Sequence, residues 1–131
     1  MNLVDLVAVA AIIQFLAYGF LAGRARAKYG VRAPAVTGHE LFERAFRVQM
    51  NTMELMVAFL PALYLASKHW PSGYVASCGV VYIVGRLVYR RAYLAGPERR
   101  SVGFLLSVVP IFVLLLAALA GIFRAALQSA A

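Results

Sequence analysis

Four long apolar segments, separated by short polar stretches, make up most of the chain. They cover about residues 3–22, 41–67, 74–95 and 98–123. Each matches or exceeds the ~20 residues that an α-helix needs to cross the hydrocarbon core of a bilayer. Connections this short place successive helices side by side in opposite directions. The pattern therefore predicts an all-α fold, an integral membrane four-helix up-down bundle that forms a single domain over residues 1–131.

Basic residues are concentrated at one end of the predicted bundle. Of the 13 lysines and arginines, six lie between residues 24 and 47 and five between residues 86 and 100. These clusters border the first and third connections, which the positive-inside rule assigns to the cytoplasm, with both termini on the opposite side. Topology thus explains much of the net charge of +8 without a nucleic-acid partner. We expect a multi-pass protein of a bacterial inner membrane.

A polar face opens the second apolar segment. Arg47, Asn51 and Glu54 are spaced i, i+4 and i+7, so a helix places a cation, an amide and a carboxylate on one side. A charged residue inside a membrane span costs roughly 2.5–3.5 kcal/mol, so it normally faces a partner, a polar cavity or a ligand. The face is either part of a ligand site or a salt bridge that holds the bundle together. Thr37 is the candidate N-cap of this helix.

A second polar cluster closes the third segment. Tyr89 and Tyr93 share a helix face with Arg86, and Gly96-Pro97 then ends the helix. Arg100 follows at the start of the fourth helix, where its charge adds to the positive end of the helix dipole. This environment favours a thiolate over a thiol, whose reference pKa is about 8.5. The chain's one cysteine, Cys78, lies in the other half of the third segment, so the thiol must come from a ligand.

These residues carry a resemblance to the MAPEG family, the membrane-associated proteins in eicosanoid and glutathione metabolism. The resemblance rests on the run F-E-R-A-F-R-V-Q-M-N over residues 42–51, followed by Glu54 and by F-L-P at 59–61. A second block, G-R-L-V-Y at 85–89 with Tyr93 and Arg100, extends it. The pattern is nearest the branch that holds leukotriene C4 synthase and microsomal glutathione transferases 2 and 3.

The resemblance implies a homotrimer with glutathione sites between neighbouring protomers, open to the cytoplasmic side. Arg100 would be catalytic and would stabilise the thiolate of glutathione. The residues implied to bind glutathione are Arg26, Arg47, Gln49, Asn51, Glu54, Tyr89 and Tyr93. Glutathione is then the cosubstrate, a lipophilic electrophile or lipid hydroperoxide the second substrate, and membrane lipid the surroundings. The sequence has no His or Cys cluster with the spacing of a metal site, so no metal is expected.

Two positions depart from the pattern of the synthase. Leu55 stands where the synthase has a tyrosine, and Ala27 stands where it has a second arginine. Both differences favour a general glutathione transferase or peroxidase over leukotriene synthesis.

Three other functions stay open at this point. The first is a non-catalytic lipid-binding scaffold of the same fold, which would lack the arginine that opens the fourth helix. The second is a small multidrug transporter, although such transporters carry their intramembrane glutamate in the first helix. The third is a structural membrane protein whose basic rim, including Arg90, Arg91 and Arg99, binds phospholipid. This last function leaves Asn51 and Glu54 unexplained.

Overall fold

A computed structural model describes residues 2–130 of the chain. Over that range it contains four α-helices and no strand: α1 Leu3–Lys28, α2 Glu40–Ser67, α3 Ser72–Ala95 and α4 Ser101–Ser129. A 3₁₀ turn, Pro97–Arg99, precedes α4. All four helices are long and apolar enough to cross a membrane. The predicted all-α fold is confirmed, with four helices that are candidates to span a membrane.

The direction of each helix follows from the order of its contacts. Gly85 of α3 faces the backbone of Ser107 in α4, and Gly103, one turn earlier in α4, faces Tyr89. The contacting residue numbers rise along α3 while they fall along α4, so these two helices are antiparallel.

Helices α1 and α3 run in the same direction, because the contacting residue numbers rise along both. Gln14 donates to the Ile83 carbonyl at 3.0 Å, and Tyr18 donates to the Arg86 carbonyl at 3.2 Å. Helix α2 runs opposite to α3, because Thr52 contacts Arg86 while Phe59, further along α2, contacts Tyr82, earlier in α3. The helices therefore alternate in direction, as in an up-down bundle.

The buried core fills the middle of the bundle and the end away from the basic residues. Phe59 of α2 stacks on Tyr82 of α3 with ring centroids 3.8 Å apart, and both residues are fully buried. The outward faces of α1 and α4 are equally apolar but exposed in the single chain, for example at Phe20 and Leu116. A surface of this kind suits contact with lipid tails or with another membrane helix.

The helix ends differ in detail from the expected ones. Helix α1 continues to Lys28, six residues past the expected end of the first apolar segment. The prediction that Thr37 caps α2 was wrong, because the imidazole Nδ1 of His39 accepts the hydrogen bond from the Leu41 amide at 3.2 Å. Just before and after this cap, the Gly38 amide donates a hydrogen bond to the Glu43 carboxylate at 2.9 Å.

Candidate functional site

A cavity of about 510 Å³ opens at the basic end of the bundle, where α2, α3 and the start of α4 meet. We call it the polar cavity. It is lined by Arg47, Asn51, Tyr89, Tyr93, Arg100, Ser101, Phe104 and Leu105. The first five were predicted from the sequence as site residues. They come together because antiparallel packing brings the beginning of α2 and the beginning of α4 to the end of α3.

Helix α2 contributes a hydrogen-bonded group of three side chains. The Arg47 guanidinium donates to the two carboxylate oxygens of Glu54 at 3.2 and 3.5 Å, and Asn51 donates to Glu54 at 3.3 Å. Arg47 and Glu54 are therefore a salt bridge, with side chains 52% and 46% exposed. A half-exposed pair of this kind contributes little to stability, typically below about 1 kcal/mol. Because it joins two residues of one helix, it does not hold helices of the bundle together.

Helix α3 contributes two tyrosines that are supported from behind by a buried arginine. The Tyr89 and Tyr93 rings lie 5.4 Å apart, and the Arg86 guanidinium lies 4.2 Å from the Tyr89 ring centroid. Arg86 is fully buried and donates to the Thr52 hydroxyl at 3.0 and 3.2 Å and to the Ser107 hydroxyl at 3.4 Å. Within residues 2–130 it forms no salt bridge. Arg86 thus lies behind the cavity wall, where it connects α2, α3 and α4.

Arg100 lies immediately before the first residue of α4, at the N-cap position. The preceding 3₁₀ turn is closed by the Arg99 amide, which donates to the Gly96 carbonyl at 3.0 Å. Arg100 is exposed, and its guanidinium has no carboxylate partner among the described residues. Arg100 and Ser101 both line the polar cavity, so a full positive charge and the positive end of the α4 dipole lie at the same cavity. This arrangement attracts anions.

Two predicted site residues, Arg26 and Gln49, do not line the polar cavity. The Arg26 guanidinium donates to the Ala35 carbonyl at 2.6 Å and lies 4.5 Å from the Phe42 ring centroid, so it holds the loop between α1 and α2. The Gln49 amide lies against α1, where a Cβ on Gly19 would be 2.9 Å from its nitrogen. One protomer therefore gathers six of the eight predicted residues, since Glu54 bonds to two that line the cavity.

Three residues that line the polar cavity were not predicted from the sequence. Ser101, Phe104 and Leu105 follow Arg100 within the first turns of α4. Helical spacing from Arg100 could have identified Phe104, at i+4, as a neighbour on the same face.

An apolar groove continues from the polar cavity along the α3–α4 contact. Leu105 belongs both to the polar cavity and to a groove of about 300 Å³ that also contains Cys78, Pro110 and Val113. Cys78 and Val113 also line the next groove, of about 360 Å³, which ends at Trp70. We call this continuous surface the α3–α4 groove. It runs from the polar cavity at Leu105 along α3 and α4 to Trp70, near the opposite end of the bundle.

The described residues do not suggest a metal centre. No three His, Cys, Asp or Glu side chains in residues 2–130 come together as possible ligands.

Comparison with known proteins gives consistent matches. Residues 4–120 match the model of the MAPEG family. The chain is 45% identical over 100 residues to an uncharacterized protein of Synechocystis sp., covering 76% of this chain and 73% of that protein. It is 41% identical over 86 residues to microsomal glutathione S-transferase 2 of Homo sapiens, covering 66% and 58% respectively. Leukotriene C4 synthase of Cavia porcellus is 34% identical over 108 residues, which cover 82% of this chain and 72% of the synthase. The match with the human transferase thus spans less than two thirds of that protein's length.

Proposed function

This chain belongs to the MAPEG family, and we propose that it is a membrane-bound glutathione transferase with glutathione peroxidase activity. It would activate the thiolate of glutathione for attack on lipophilic electrophiles or lipid hydroperoxides. The observation that carries this proposal is the polar cavity, where Arg100 meets Arg47, Asn51 and the two tyrosines. The human and guinea-pig relatives support it, because their names describe a glutathione transferase and a leukotriene C4 synthase.

The chemistry of the α2 wall suits the ends of glutathione, a small peptide with two carboxylates, an ammonium group and a thiol. Arginine binds carboxylates through two parallel hydrogen bonds, so Arg47 is the proposed carboxylate ligand. Glu54 is the proposed partner of the ammonium group. Arg47 and Glu54 pair with each other at 3.2 Å, so each would exchange that partner for an oppositely charged group of glutathione. Asn51, Tyr89 and Tyr93 supply further hydrogen bonds.

Arg100 is the proposed catalytic residue. Its charge and the N-terminus of α4 stabilise a thiolate more than a thiol, so they lower the pKa of the bound glutathione thiol. With an electrophilic carbon, the attack forms a sulfur–carbon bond, and the displaced electrons go to the leaving group or opened ring. With a lipid hydroperoxide, the thiolate attacks the terminal peroxide oxygen, the O–O bond breaks, and the lipid alkoxide leaves and is protonated to the alcohol. A second glutathione then displaces hydroxide from the glutathione sulfenic acid, so that two glutathione molecules are oxidised to the disulfide and water is released. The presence of Arg100 at the cavity distinguishes this proposal from the lipid-binding scaffold.

The positions of Arg26 and Gln49 bear on the proposed homotrimer. Both lie outside the polar cavity of their own chain, which supports a site that takes Arg26 and Gln49 from a neighbouring protomer. A ring of identical chains, each contributing one face to its neighbour, satisfies that condition at every interface. The family resemblance implies that this ring is a homotrimer, so we propose three sites per trimer, each assembled from two chains and opening to the cytoplasm. We also propose that loops 1 and 3 lie on the cytoplasmic side of a bacterial inner membrane and that both termini lie on the opposite side.

The second substrate is proposed to enter from the bilayer through the α3–α4 groove. The groove is lined by apolar side chains and meets the polar cavity at Leu105. A lipophilic molecule in the groove would therefore present its reactive end to the thiolate. The residues Leu55 and Ala27, which depart from the synthase pattern, favour a general substrate range over leukotriene synthesis.

Steady-state kinetics of Arg100→Ala test the proposal. We expect kcat to fall at least about a hundredfold while KM for glutathione changes much less, because the lost interaction acts mainly on the thiolate. Arg99→Ala is the matched control, since Arg99 is a neighbouring exposed arginine that pairs with Glu98 outside the polar cavity. An equal loss of kcat and glutathione affinity would contradict the thiolate role. No conjugation or peroxidase activity in the wild-type protein would contradict the enzyme.

A further inference from the structure

A second cavity, of about 460 Å³, lies at the basic end between α1, α2 and α3. We propose that it binds the headgroup of an anionic phospholipid, and we call it the headgroup cavity. Three cations line it, Arg24 and Lys28 from α1 and Arg90 from α3. Apolar residues, including Leu21, Leu41 and Leu94, line the rest. The headgroup cavity and the polar cavity have no lining residue in common, so this inference does not depend on the proposed glutathione site.

The three cations lack a counter-ion in the part of the protein that the structure describes. Arg24 and Lys28 are i, i+4 neighbours on one helix, a spacing at which like charges repel each other. Neither they nor Arg90 takes part in a salt bridge within residues 2–130. The acidic residues of the chain are paired elsewhere or lie at a distance. Three form salt bridges with other arginines: Glu40 with Arg44, Glu54 with Arg47 and Glu98 with Arg99. Glu43 accepts a hydrogen bond from the Gly38 amide, and Asp5 lies in the first turn of α1. An external anion is therefore the group that would neutralise the cluster.

The side chains around the headgroup cavity partly order its cations. Lys28 Nζ lies 5.3 Å from the Tyr29 ring centroid, and Tyr29 in turn stacks on His39 at 3.9 Å. The Arg90 guanidinium lies 5.6 Å from the ring centroid of Tyr18, which is itself buried. Two of the three cationic groups thus lie over aromatic rings, which restricts the positions of these side chains. Less side-chain entropy is therefore lost when an anion binds.

The mixed lining favours a phospholipid over a free phosphate ion. The leucines offer contacts that only a ligand with an apolar portion can use. The cavity also lies at the end of three membrane-crossing helices, the level at which lipid phosphates are found. Basic pockets between helices on the cytoplasmic side are a known way of holding anionic headgroups. An acidic phospholipid can place its phosphate on the cations and its acyl chains along the helices below.

Native mass spectrometry of the detergent-purified protein tests the proposal. Phosphatidylglycerol is titrated as the anionic lipid, phosphatidylcholine with the same acyl chains as the zwitterionic lipid, and inorganic phosphate as a competitor. We expect a saturable phosphatidylglycerol complex with one lipid per chain. The double variant Arg24→Gln/Lys28→Gln should weaken it roughly 30-fold, since each basic residue near an anionic headgroup contributes about a fivefold factor.

The matched control is Arg32→Gln/Arg91→Gln, which also removes two positive charges. Arg32 and Arg91 are exposed, lie at the same end of the bundle and do not line the headgroup cavity. The control should bind phosphatidylglycerol within about threefold of wild type, as expected for surface charges. Circular dichroism and elution volume check the fold of each variant. If the double variant does not fold, Lys28→Gln alone should weaken binding about fivefold.

Three results would overturn the proposal. An equal loss of phosphatidylglycerol in the control and in the cavity variant would mean diffuse charge attraction. Phosphatidylcholine binding as tightly as phosphatidylglycerol would exclude recognition of charge. Inorganic phosphate that displaces the lipid at equal concentration would show a site for the free ion. Glutathione titration of the same variants separates the two proposals, because a failed lipid site leaves glutathione binding unchanged.

Discussion

The close contact between α3 and α4 should control the activity of Arg100, and Gly103 is the residue that tests this. A Cβ added to Gly103 would lie 2.8 Å from the Tyr89 Cβ and closer still to the Tyr89 backbone nitrogen and Cα. Carbon atoms normally pack about 3.5–4.0 Å apart. Because two of these atoms belong to the backbone, rotation of a side chain cannot relieve the clash. Gly103→Ala should therefore move the start of α4 away from α3 by roughly 1 Å.

That displacement acts directly on the polar cavity. Arg100 lies less than one helical turn before Gly103, and Tyr89 forms the opposite wall. A misplacement of about 1 Å can cost on the order of a hundredfold in rate when it separates a catalytic group from the reacting atom. We expect Gly103→Ala to lower kcat by ten- to a hundredfold, as an order of magnitude. The assay is conjugation of glutathione to a lipophilic electrophile in detergent micelles at saturating glutathione.

Gly23→Ala is the control, because Gly23 also lies inside a helix but a Cβ added there would meet nothing within 4 Å. It should retain full activity and gain slightly in stability, since alanine favours a helix over glycine by about 0.5–1 kcal/mol. A Gly103→Ala protein that is folded and within twofold of wild-type kcat would refute the reasoning. It would mean that α4 tolerates the shift or that Arg100 need not be positioned by α3.

Three further predictions concern other parts of the site. Arg86→Lys should lower the thermal midpoint of the detergent-solubilised protein and reduce its free energy of unfolding by roughly 2–3 kcal/mol. Lysine cannot reproduce the three hydrogen bonds of the buried guanidinium to Thr52 and Ser107, and an unchanged midpoint would contradict this. Coexpression of Arg100→Ala chains with Arg26→Ala chains in equal amounts should give about a quarter of the wild-type number of intact sites, because each site needs Arg100 from one chain and Arg26 from its neighbour. If the mixed protein is no more active than the separate variants, sites shared between chains are contradicted. The wild-type rate should stay high well below pH 8.5, the approximate pKa of a free thiol, whereas Arg100→Ala should lose rate as pH falls through that region; parallel pH profiles would argue that Arg100 does not lower the thiol pKa.

The architecture could be predicted from the sequence because a membrane helix is recognised by its length and apolar content. The antiparallel order then followed from short connections, and it brought the polar starts of the second and fourth segments to the end of the third. That is why Arg47, Asn51 and Arg100 line one cavity with the tyrosines, as helical spacing and the family resemblance together indicated.

Other features depended on tertiary contacts that spacing does not reveal. Arg86 shares a helix face with Tyr89, yet it is buried because Thr52 and Ser107 provide acceptors on the neighbouring helices. Arg26 turns to the loop carbonyl of Ala35, and Gln49 turns to α1, so neither reaches the polar cavity of its own chain. The start of α4 was displaced to Ser101 by the 3₁₀ turn that follows Gly96-Pro97.

The most direct test of the account is a titration of glutathione into the purified protein, followed by ultraviolet absorbance of the thiolate, with Arg100→Ala measured in parallel. The account predicts a thiolate signal that saturates with glutathione in the wild-type protein at neutral pH. It also predicts that Arg100→Ala still binds glutathione but gives no such signal. If the wild-type protein shows no binding at millimolar glutathione, the enzyme is contradicted. If both proteins show the same thiolate signal, the role of Arg100 is contradicted.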